Sequence, residues 1–181
     1  LNYIMPVGIS FYTFQTISYS IDVFRGNREP ERHLGKFALF VSFFPQLVAG
    51  PIERSSHLIP QFDKVFKFDS KRIVSGLQLM LWGFFKKIVI ADRLAYFTYF
   101  IFQNPQRYGS GFAIMIAVYF FAIQLYCDFS AYSDIAIGSA KVMGYDLMKN
   151  FRRPYFARSI SDFWQRWHIS LSTWFRDYIF Y

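Results

Sequence analysis

Two long segments without a charged side chain, residues 1–21 and 108–127, limit what this chain can fold into more than any other feature of its sequence. An α-helix needs about 20 predominantly apolar residues to cross the hydrocarbon core of a bilayer, and both segments reach that length. Shorter or interrupted apolar segments lie at 37–52, 73–85 and 94–106. The sequence therefore predicts an all-α polytopic membrane protein, a helical bundle in which several segments cross the bilayer.

The composition points in the same direction. Hydrophobic residues make up 54% of the chain and aromatic residues 23%, with 24 Phe and 13 Tyr, a more apolar balance than that of typical soluble domains. The mean hydropathy of +0.18 is modest for a membrane bundle. Basic loops and polar interior segments can account for the low value, but it leaves a soluble, aromatic-rich helical domain as the alternative fold.

The net charge of +8 suggests a nucleic-acid partner at first sight. The sequence contains no nucleic-acid-binding motif, however, and its basic residues cluster at the ends of apolar segments, which favours the cytoplasmic surface of a membrane. We therefore expect the lipid bilayer, and not nucleic acid, as a partner. Cys127 is the only cysteine, which excludes a disulfide framework or a cysteine zinc site within the chain, and no metal site is expected.

The distribution of basic residues predicts which connections face the cytoplasm. The connections at 25–36 and 53–72 are rich in lysine and arginine, and so is the region after the apolar segment that starts at Phe112. The connection at 103–111 carries a single cation, Arg107. Because basic loops stay on the cytoplasmic side, we expect 103–111 on the outer side, where it joins its neighbouring apolar segments into a transmembrane hairpin.

The segment at 37–52 has basic connections on both flanks, so both of its ends are expected on the same side of the membrane. It is short for a span, and Pro45, Gly50 and Pro51 interrupt it. A re-entrant element that enters the membrane and returns explains these features, since non-helical backbone is tolerated at that depth where protein or water surrounds it. An ordinary kinked helix is the alternative.

Lys86 and Lys87 lie inside the hydrophobic stretch at 73–102. A charged side chain at membrane depth is costly, so we expect one of two arrangements. Either the lysines divide the stretch into an interfacial helix and a short span, or their long side chains extend toward the lipid head groups.

The residues from 158 to 178 contain the strongest candidate for a catalytic group. Aromatic and leucine side chains recur there at steps of three and four residues, which predicts one continuous helix with Ser161 or Asp162 as its N-cap. His168 falls within this apolar stripe, whose other members are Trp164, Trp167, Leu171, Trp174, Phe175 and Tyr178. An imidazole among aromatic rings is poorly solvated, which keeps it neutral at pH 7 and able to accept a proton. The alternative is a core histidine with only a packing role.

A second polar cluster, at 126–138, follows directly from the most apolar segment. Its two carboxylates, Asp128 and Asp134, need partners or water at the end of a membrane segment. Six residues of helix turn through roughly 240°, so the two carboxylates do not share a face and are not expected to act as a paired acid and base. Helical spacing instead predicts a structural ion pair of Asp134 with Lys141. A polar lining of a substrate passage is the alternative.

The other two histidines, His33 and His57, lie in basic, polar connections and are expected on the solvated surface. The motifs of zinc hydrolases, serine hydrolases and nucleotide-binding enzymes do not occur in this sequence. It therefore gives no support to those soluble enzyme classes.

Four sequence blocks, taken together and in this order, resemble the membrane-bound O-acyltransferase family, and most of all its bacterial alginate O-acetyltransferase branch. The blocks lie at 5–22, 43–52, 126–138 and 150–172. The first reads MPVGISFYTFQTISYSID, the second FFPQLVAGPI and the third YCDFSAYSDIAIG, and the last contains NFRRPY and SDFWQRWHISLS. The resemblance covers essentially the whole chain.

The resemblance implies a membrane enzyme that transfers an acyl group, with acetyl the expected one, to a hydroxyl group inside a tunnel between helices. The donor is a cytoplasmic thioester, acetyl-CoA or an acyl carrier, used as a co-substrate, and no bound cofactor is expected. The expected acceptor is an exported polysaccharide such as alginate, or a partner periplasmic acetyltransferase. The expected location is the bacterial inner membrane, with several spans.

The resemblance assigns His168 the role of catalytic base. This residue matches the family's tryptophan–histidine motif, and a hydroxyl group needs a base to become a good nucleophile. The substrate passage is expected to be lined by Asp128, Asp134, Gln46 and Trp167. The alternative function is a non-enzymatic channel or scaffold that passes acyl groups to a separate transferase, which does not need the titratable nitrogen of His168.

We expect residues 1–181 to be a single partial domain of a longer protein. The chain begins with Leu1 and stops at Tyr181, inside the last predicted helix. The family also has a second functional histidine further toward the C-terminus, and this sequence has none after His168. The segment alone is therefore expected to be inactive.

Overall fold

The computed structural model describes residues 8–47, 50–108 and 110–180, and every regular element in these ranges is helical. In chain order the α-helices are α1 (Ile9–Phe24), α2 (Leu34–Ser42), α3 (Phe44–Leu47), α4 (Ser55–Leu58), α5 (Ser70–Phe84), α6 (Asp92–Gln103), α7 (Pro105–Tyr108), α8 (Gly111–Met143), α9 (Ile160–Trp164) and α10 (Ile169–Tyr178). Short 3₁₀ turns occupy Ile59–Asp63 and Pro154–Phe156, and a π-helical segment, Phe85–Ala91, joins α5 to α6. The all-α class predicted from the sequence is confirmed.

Two helical rods dominate the molecule. The first runs without interruption over Ser70–Gln103, through α5, the π-helical segment and α6, and the second is α8; they contain 34 and 33 residues and are apolar enough to cross a membrane. At 1.5 Å per residue each rod is about 50 Å long, more than the ~30 Å hydrocarbon core. Only 17% and 11% of the residues in their most apolar windows are buried within the chain, so most of their apolar side chains face outward, as lipid-facing side chains do.

The two rods pack against each other as the predicted hairpin. α7 lies in the connection between them, and both α5 and α6 contact α8. Ser110 caps α8 by accepting a hydrogen bond from the Ala113 amide at 3.2 Å. The backbones approach closely where Gly76 meets Gly138, because a Cβ on either glycine would lie 2.8 or 2.7 Å from the carbonyl oxygen of the other. Small residues at such a crossing allow helices to associate within a membrane.

The first predicted span, residues 1–21, is described from Gly8 onward. α1 begins at Ile9, after Gly8 in a left-handed conformation (φ 78°), and residues 1–7 lie outside the described ranges. Trp174 of α10 packs edge-on against Phe14, with ring centroids 4.7 Å apart, and its Nε1 donates to the Phe14 carbonyl oxygen at 3.0 Å. These contacts attach the first described helix to the last one.

The segment at 37–52 is non-helical at Gly50 and Pro51, as predicted, and its helix is also interrupted earlier, before Pro45. α2 ends at Ser42, and Phe43 has an extended backbone before α3 begins. α2 has nine residues, about 14 Å of helix, which is less than half of the bilayer core. Lys36 and Asp63 form an ion pair, so the connections on the two sides of this segment meet. A single kinked helix is therefore wrong, while the re-entrant path through a membrane stays a prediction.

A small core of aromatic and aliphatic side chains holds α2, α4 and the end of α8 together. Its buried members are Phe40, Phe43, Leu58, Ile59, Ala140 and Leu147. Phe43 lies edge-on to Tyr145, with ring centroids 5.2 Å apart. Burial of a large apolar side chain is worth about 1.5–3 kcal/mol, so this core anchors the loop after α8 that leads to the candidate site.

Candidate active site

His168 lies in a turn between two helices rather than within one. α9 ends at Trp164 and α10 begins at Ile169, so the continuous helix predicted over 158–178 is wrong. His168 is the N-cap residue of α10 and has a left-handed backbone (φ 43°, ψ 55°). The three- and four-residue spacing of aromatic side chains continues from one helix into the next, so periodicity alone did not reveal the break.

The predicted N-cap of the preceding helix is also wrong. Ser159, rather than Ser161 or Asp162, caps α9 by accepting a hydrogen bond from the Asp162 amide at 3.1 Å. The Asp162 carboxylate instead accepts from the Arg158 amide at 3.1 Å and pairs with Arg166 at 2.6 Å. The hydrogen bond from Arg166 lowers the pKa of Asp162, so this carboxylate stays charged and braces the entry to the helix.

The imidazole of His168 is held against a ring of the long helix α8. Phe129 lies edge-on to it, with ring centroids 4.7 Å apart. The Nε2 atom is buried and has no hydrogen-bond partner among the described residues. Burial lowers the pKa of His168 to about 4, so the ring is neutral at pH 7, in agreement with the expectation from the sequence. In the tautomer protonated at Nδ1, Nε2 can accept a proton from a group brought next to it.

The aromatic surroundings of His168 differ from the predicted stripe. Trp174 packs on α1, and Trp164 is 54% exposed, so neither encloses the imidazole. Trp167 stacks on Phe163, with ring centroids 5.6 Å apart. These two rings form an aromatic cluster next to the turn. The ring that contacts His168 comes from α8, which sequence spacing within 158–178 could not indicate.

The segment that follows α8 holds the turn at both ends. The Arg152 amide donates to the Arg166 carbonyl oxygen, and the Ile169 amide donates to the Asn150 carbonyl oxygen, each at 2.9 Å. One bond lies before His168 in the chain and the other lies after it. The turn is therefore fixed by backbone hydrogen bonds to Asn150 and Arg152 and not only by its own two helices.

Asn150 and Ser170 are candidate site residues that sequence reasoning missed. The Asn150 side-chain oxygen accepts from the Ser170 amide at 3.2 Å and from the Ser170 hydroxyl at 2.6 Å. The Ser170 hydroxyl in turn accepts from the Ile52 amide at 3.0 Å. Asn150 is 1% and Ser170 0% exposed, so this is a buried polar junction. Both residues fall inside the block at 150–172, which was the available signal.

A cavity of about 1000 Å³ lies beside the turn. Its wall includes Ile169, the residue after His168, together with Phe151 and Tyr126. Its charged lining consists of one carboxylate, Asp134, and of the cations Lys86, Lys149, Arg152, Arg153 and Arg166. The excess of positive charge suits an anionic group, since guanidinium and ammonium groups bind phosphate oxygens through charge-assisted hydrogen bonds.

Of the four predicted passage residues, Asp134 lines this cavity and the other three do not. Asp128 is 2.7 Å from Lys87. Gln46 is 1% exposed, and its side-chain amide donates to a backbone carbonyl oxygen of α2 at 3.0 Å. Trp167 lies in the aromatic cluster next to the turn. The structure therefore does not bring these four side chains together.

The charged side chains within the two rods pair between helices. Lys86 is 6% exposed, and its Nζ atom lies 2.8 Å from Asp134. Lys87 pairs with Asp128 at 2.7 Å and with Asp92 at 2.8 Å. The helical rod continues through both lysines, so the expected division of the stretch is wrong, whereas the position of the two side chains relative to the lipid head groups stays a prediction. Charges at membrane depth are tolerated here because each has an opposite charge beside it.

The predicted ion pair of Asp134 with Lys141 is also wrong. Lys141 donates to the Ser75 hydroxyl at 2.8 Å, while Asp134 faces Lys86. Spacing along one helix suggested Lys141 as the partner of Asp134, whereas the observed partner, Lys86, lies on the neighbouring rod. The π-helical segment, with its wider turn, carries both Lys86 and Lys87 and lets these consecutive residues reach carboxylates of α8.

The remaining histidines have structural partners. His33 is exposed and caps α2 by accepting from the Lys36 amide at 3.2 Å. His57 lies 2.8 Å from the carboxylate of Glu53, which is fully buried and also accepts from the Met148 amide. The hydrogen bond between His57 and Glu53 raises the pKa of His57. Within the described ranges, no group of three or more His, Cys, Asp or Glu side chains could hold a metal ion.

Comparison with known proteins identifies the family. A sequence model of the membrane-bound O-acyltransferase family matches residues 32–181. The chain is 47% identical over 180 residues to a probable alginate O-acetylase of Pseudomonas putida, which covers 98% of this chain and 36% of that protein. It is 38% identical to a peptidoglycan O-acetyltransferase of Helicobacter pylori (99% of this chain, 39% of that protein) and 31% identical to a teichoic acid D-alanyltransferase of Bacillus subtilis (99% and 46%). The chain thus spans less than half the length of these relatives. It belongs to the membrane-bound O-acyltransferase family.

Proposed function

We propose that the intact protein is a membrane O-acyltransferase and that His168 is its catalytic base. The observation that carries the proposal is that Nε2 of His168 is buried and unpaired among the described residues. The imidazole is also neutral at pH 7, and Ile169, the residue after it, lines a cavity of about 1000 Å³. The names of the relatives support the reaction class, since they describe an O-acetylase, an O-acetyltransferase and a D-alanyltransferase.

The proposed reaction is attack of an acceptor hydroxyl on the carbonyl carbon of an acyl thioester. Nε2 of His168 takes the hydroxyl proton as the carbon–oxygen bond forms, so that no free alkoxide is needed. The tetrahedral intermediate then breaks its carbon–sulfur bond, and the imidazolium returns the proton to the leaving thiolate. One ester forms for each thioester consumed.

The donor that we propose is acetyl-CoA or an acyl carrier. Each of them carries phosphate at the end of its pantetheine arm opposite the thioester. The cation-rich cavity supports this class, because five cations and one carboxylate line it. Arginine binds phosphate through paired N–H donors, and lysine does so as a point charge. The donor is a co-substrate, and no resident cofactor is proposed.

The acceptor that we propose is a hydroxyl of an exported polysaccharide such as alginate, reached directly or through a partner periplasmic acetyltransferase. The identity of 47% to a protein named as a probable alginate O-acetylase supports this choice. The proposed location is the bacterial inner membrane with several spans, which the two long apolar rods support.

Replacement of His168 by Ala in the intact protein tests the catalytic role. A general base contributes about a hundred- to ten-thousand-fold to the rate, so polymer acetylation should fall by such a factor while the amount of protein in the membrane stays normal. His33→Ala is the matched control, because His33 is exposed and does not line the cavity, and it should leave acetylation unchanged. Near-normal acetylation by a well-accumulated His168→Ala protein contradicts the base role.

His168→Gln separates an enzyme from a channel or scaffold that only passes acyl groups. Glutamine keeps a polar side chain of similar size but has no titratable nitrogen. An enzyme loses activity in both His168 variants, whereas a scaffold retains most of its transfer in His168→Gln.

A further inference from the structure

The N-cap position of α10 is occupied by a side chain that does not cap. The first turn of a helix has backbone amides without intrahelical acceptors, and a Ser, Thr, Asp or Asn side chain at the N-cap usually accepts from one of them. His168 occupies this position, and its side chain makes no capping hydrogen bond. The amides of Ile169 and Ser170 must therefore find acceptors elsewhere.

Asn150 supplies both acceptors from a different segment of the chain. Its backbone carbonyl oxygen accepts from the Ile169 amide at 2.9 Å, and its side-chain Oδ1 accepts from the Ser170 amide at 3.2 Å. The same Oδ1 accepts from the Ser170 hydroxyl at 2.6 Å. The bond from the Ser170 amide is the one that a capping side chain at position 168 would accept on its own helix, so Asn150 performs this capping from across the turn.

Asn150 is itself fixed in place. Its side chain is 1% exposed, and its Nδ2 donates to the Ser133 hydroxyl of α8 at 3.2 Å. The same helix carries Phe129, whose ring packs against His168. One rigid helix therefore positions both the residue that caps α10 and the surface on which the imidazole rests.

We propose that Asn150 is a positioning residue that caps α10 in trans and thereby leaves the imidazole of His168 free to react. This inference rests on the proposed role of His168 as catalytic base. An imidazole that capped its own helix would accept a backbone amide at Nδ1, as His33 does in α2, and Nε2 would then carry the ring proton and could not act as a base. The side chain of His168 makes no such capping bond. Asn150 acts through His168 and is not itself a catalytic residue.

Steady-state kinetics of Asn150→Ala in the intact protein test the positioning role. Misplacement of a catalytic group by about 1 Å lowers the rate by roughly a hundredfold. We expect kcat to fall about ten- to a hundredfold while KM for the acyl donor stays within about twofold, as for loss of a transition-state interaction. Asn104→Ala is the matched control, because the bonds that Asn104 makes with described residues lie within its own exposed turn, and its kcat should not change. An unchanged kcat in Asn150→Ala overturns the inference.

If the Asn150→Ala protein accumulates poorly, the Asn150→Asp variant tests the positioning role instead. Aspartate keeps an oxygen acceptor for the Ser170 amide, and a negative charge is favourable at a helix N-terminus, but it cannot donate to Ser133. The Asn150→Asp protein should therefore accumulate and retain more of its kcat than Asn150→Ala. If it accumulates normally and is as inactive as His168→Ala, the inference is overturned.

A thermal-stability cycle tests the capping without any catalysis. In a His168→Asn background the new side chain can cap its own helix, since Asn is a preferred N-cap residue and tolerates a left-handed backbone. Asn150→Ala should therefore lower the Tm of this background less than it lowers the Tm of the wild type. Equal losses in both backgrounds overturn capping in trans. If His168→Ala stays active, the base role fails, whereas this cycle still decides the capping, so the two failures are distinguishable.

Discussion

At the residue scale, two histidines respond in opposite ways to their surroundings. At His168, burial of the imidazole lowers the pKa to about 4. At His57, the hydrogen bond to the buried carboxylate of Glu53 raises the pKa by more than partial burial lowers it. The left-handed backbone of His168 (φ 43°) costs about 1–2 kcal/mol. Such conformations persist where surrounding bonds over-determine them, and they concentrate at functional sites, which agrees with the role proposed for His168.

The pair of His57 with Glu53 predicts a pH-dependent contribution to stability. A histidine whose folded-state pKa is raised above its ordinary value of 6.5 stabilises the fold fully below that pH, and the contribution is lost as the pH rises through the raised value. The His57 side chain is 40% exposed, so solvent and salt screen part of the effect. In thermal unfolding of the intact protein, His57→Gln should be less stable than the wild type just below pH 6.5, and the difference should shrink at alkaline pH. Glu53→Gln should remove this trend, and a difference that grows with pH contradicts it.

At the element scale, charges as well as close backbone contact join the two rods. Lys86 of the π-helical segment pairs with Asp134 of α8 at 2.8 Å and is 6% exposed. π-Helical turns are rare and are found frequently at functional sites, and this one lies in the wall of the cation-rich cavity. Removal of one member of a buried ion pair leaves an uncompensated charge and costs about 3–5 kcal/mol, whereas replacement of both by apolar residues is often neutral.

The pairing of Lys86 with Asp134 leads to a double-variant prediction. Lys86→Leu and Asp134→Leu should each reduce the amount of folded protein in the membrane and lower its Tm, while the double variant should recover most of both. Lys141→Leu is the matched control, because Lys141 bonds to Ser75 and not to Asp134, and its effect should be smaller. Quantified membrane protein and thermal unfolding in detergent provide the readouts. A double variant as unstable as the worse single variant would show that the pairing itself is not what stabilises the rods.

The sequence predicts these elements better than it predicts their partners. The uncharged length of 108–127 indicated the first part of α8, because a membrane crossing demands that length, and the low charge of 103–111 between more basic connections indicated the hairpin. The break at His168 was missed, since the aromatic spacing continues across it. The ion pair of Lys86 was missed because its partner lies on another helix. Asn150 escaped notice because it bonds to residues up to 20 positions further along the chain, and local spacing carries no information at that distance.

At the scale of the whole molecule, the basic connections at 25–36 and 53–72 come together. Lys36 of one and Asp63 of the other form an ion pair, and the segment between them contains only the short helices α2 and α3 within its described part. The connection at 103–111 forms the closed end of the hairpin, between α6 and α8. Because basic loops stay on the cytoplasmic side, we predict that 37–52 returns to the side from which it starts.

Cysteine labelling of the intact protein in cells tests this topology. In a background in which Cys127 and any cysteine of the intact protein outside this sequence are replaced by serine, single cysteines replace Asn27, Lys67 and Gln106, all of which are exposed. A membrane-impermeant maleimide applied from outside should label position 106, and it should reach positions 27 and 67 only after the membrane is permeabilised. Positions 27 and 67 must behave alike, because the contact of Lys36 with Asp63 holds their two connections together. Labelling of only one of them from outside would show that 37–52 crosses the bilayer, and labelling of both with position 106 protected would invert the hairpin.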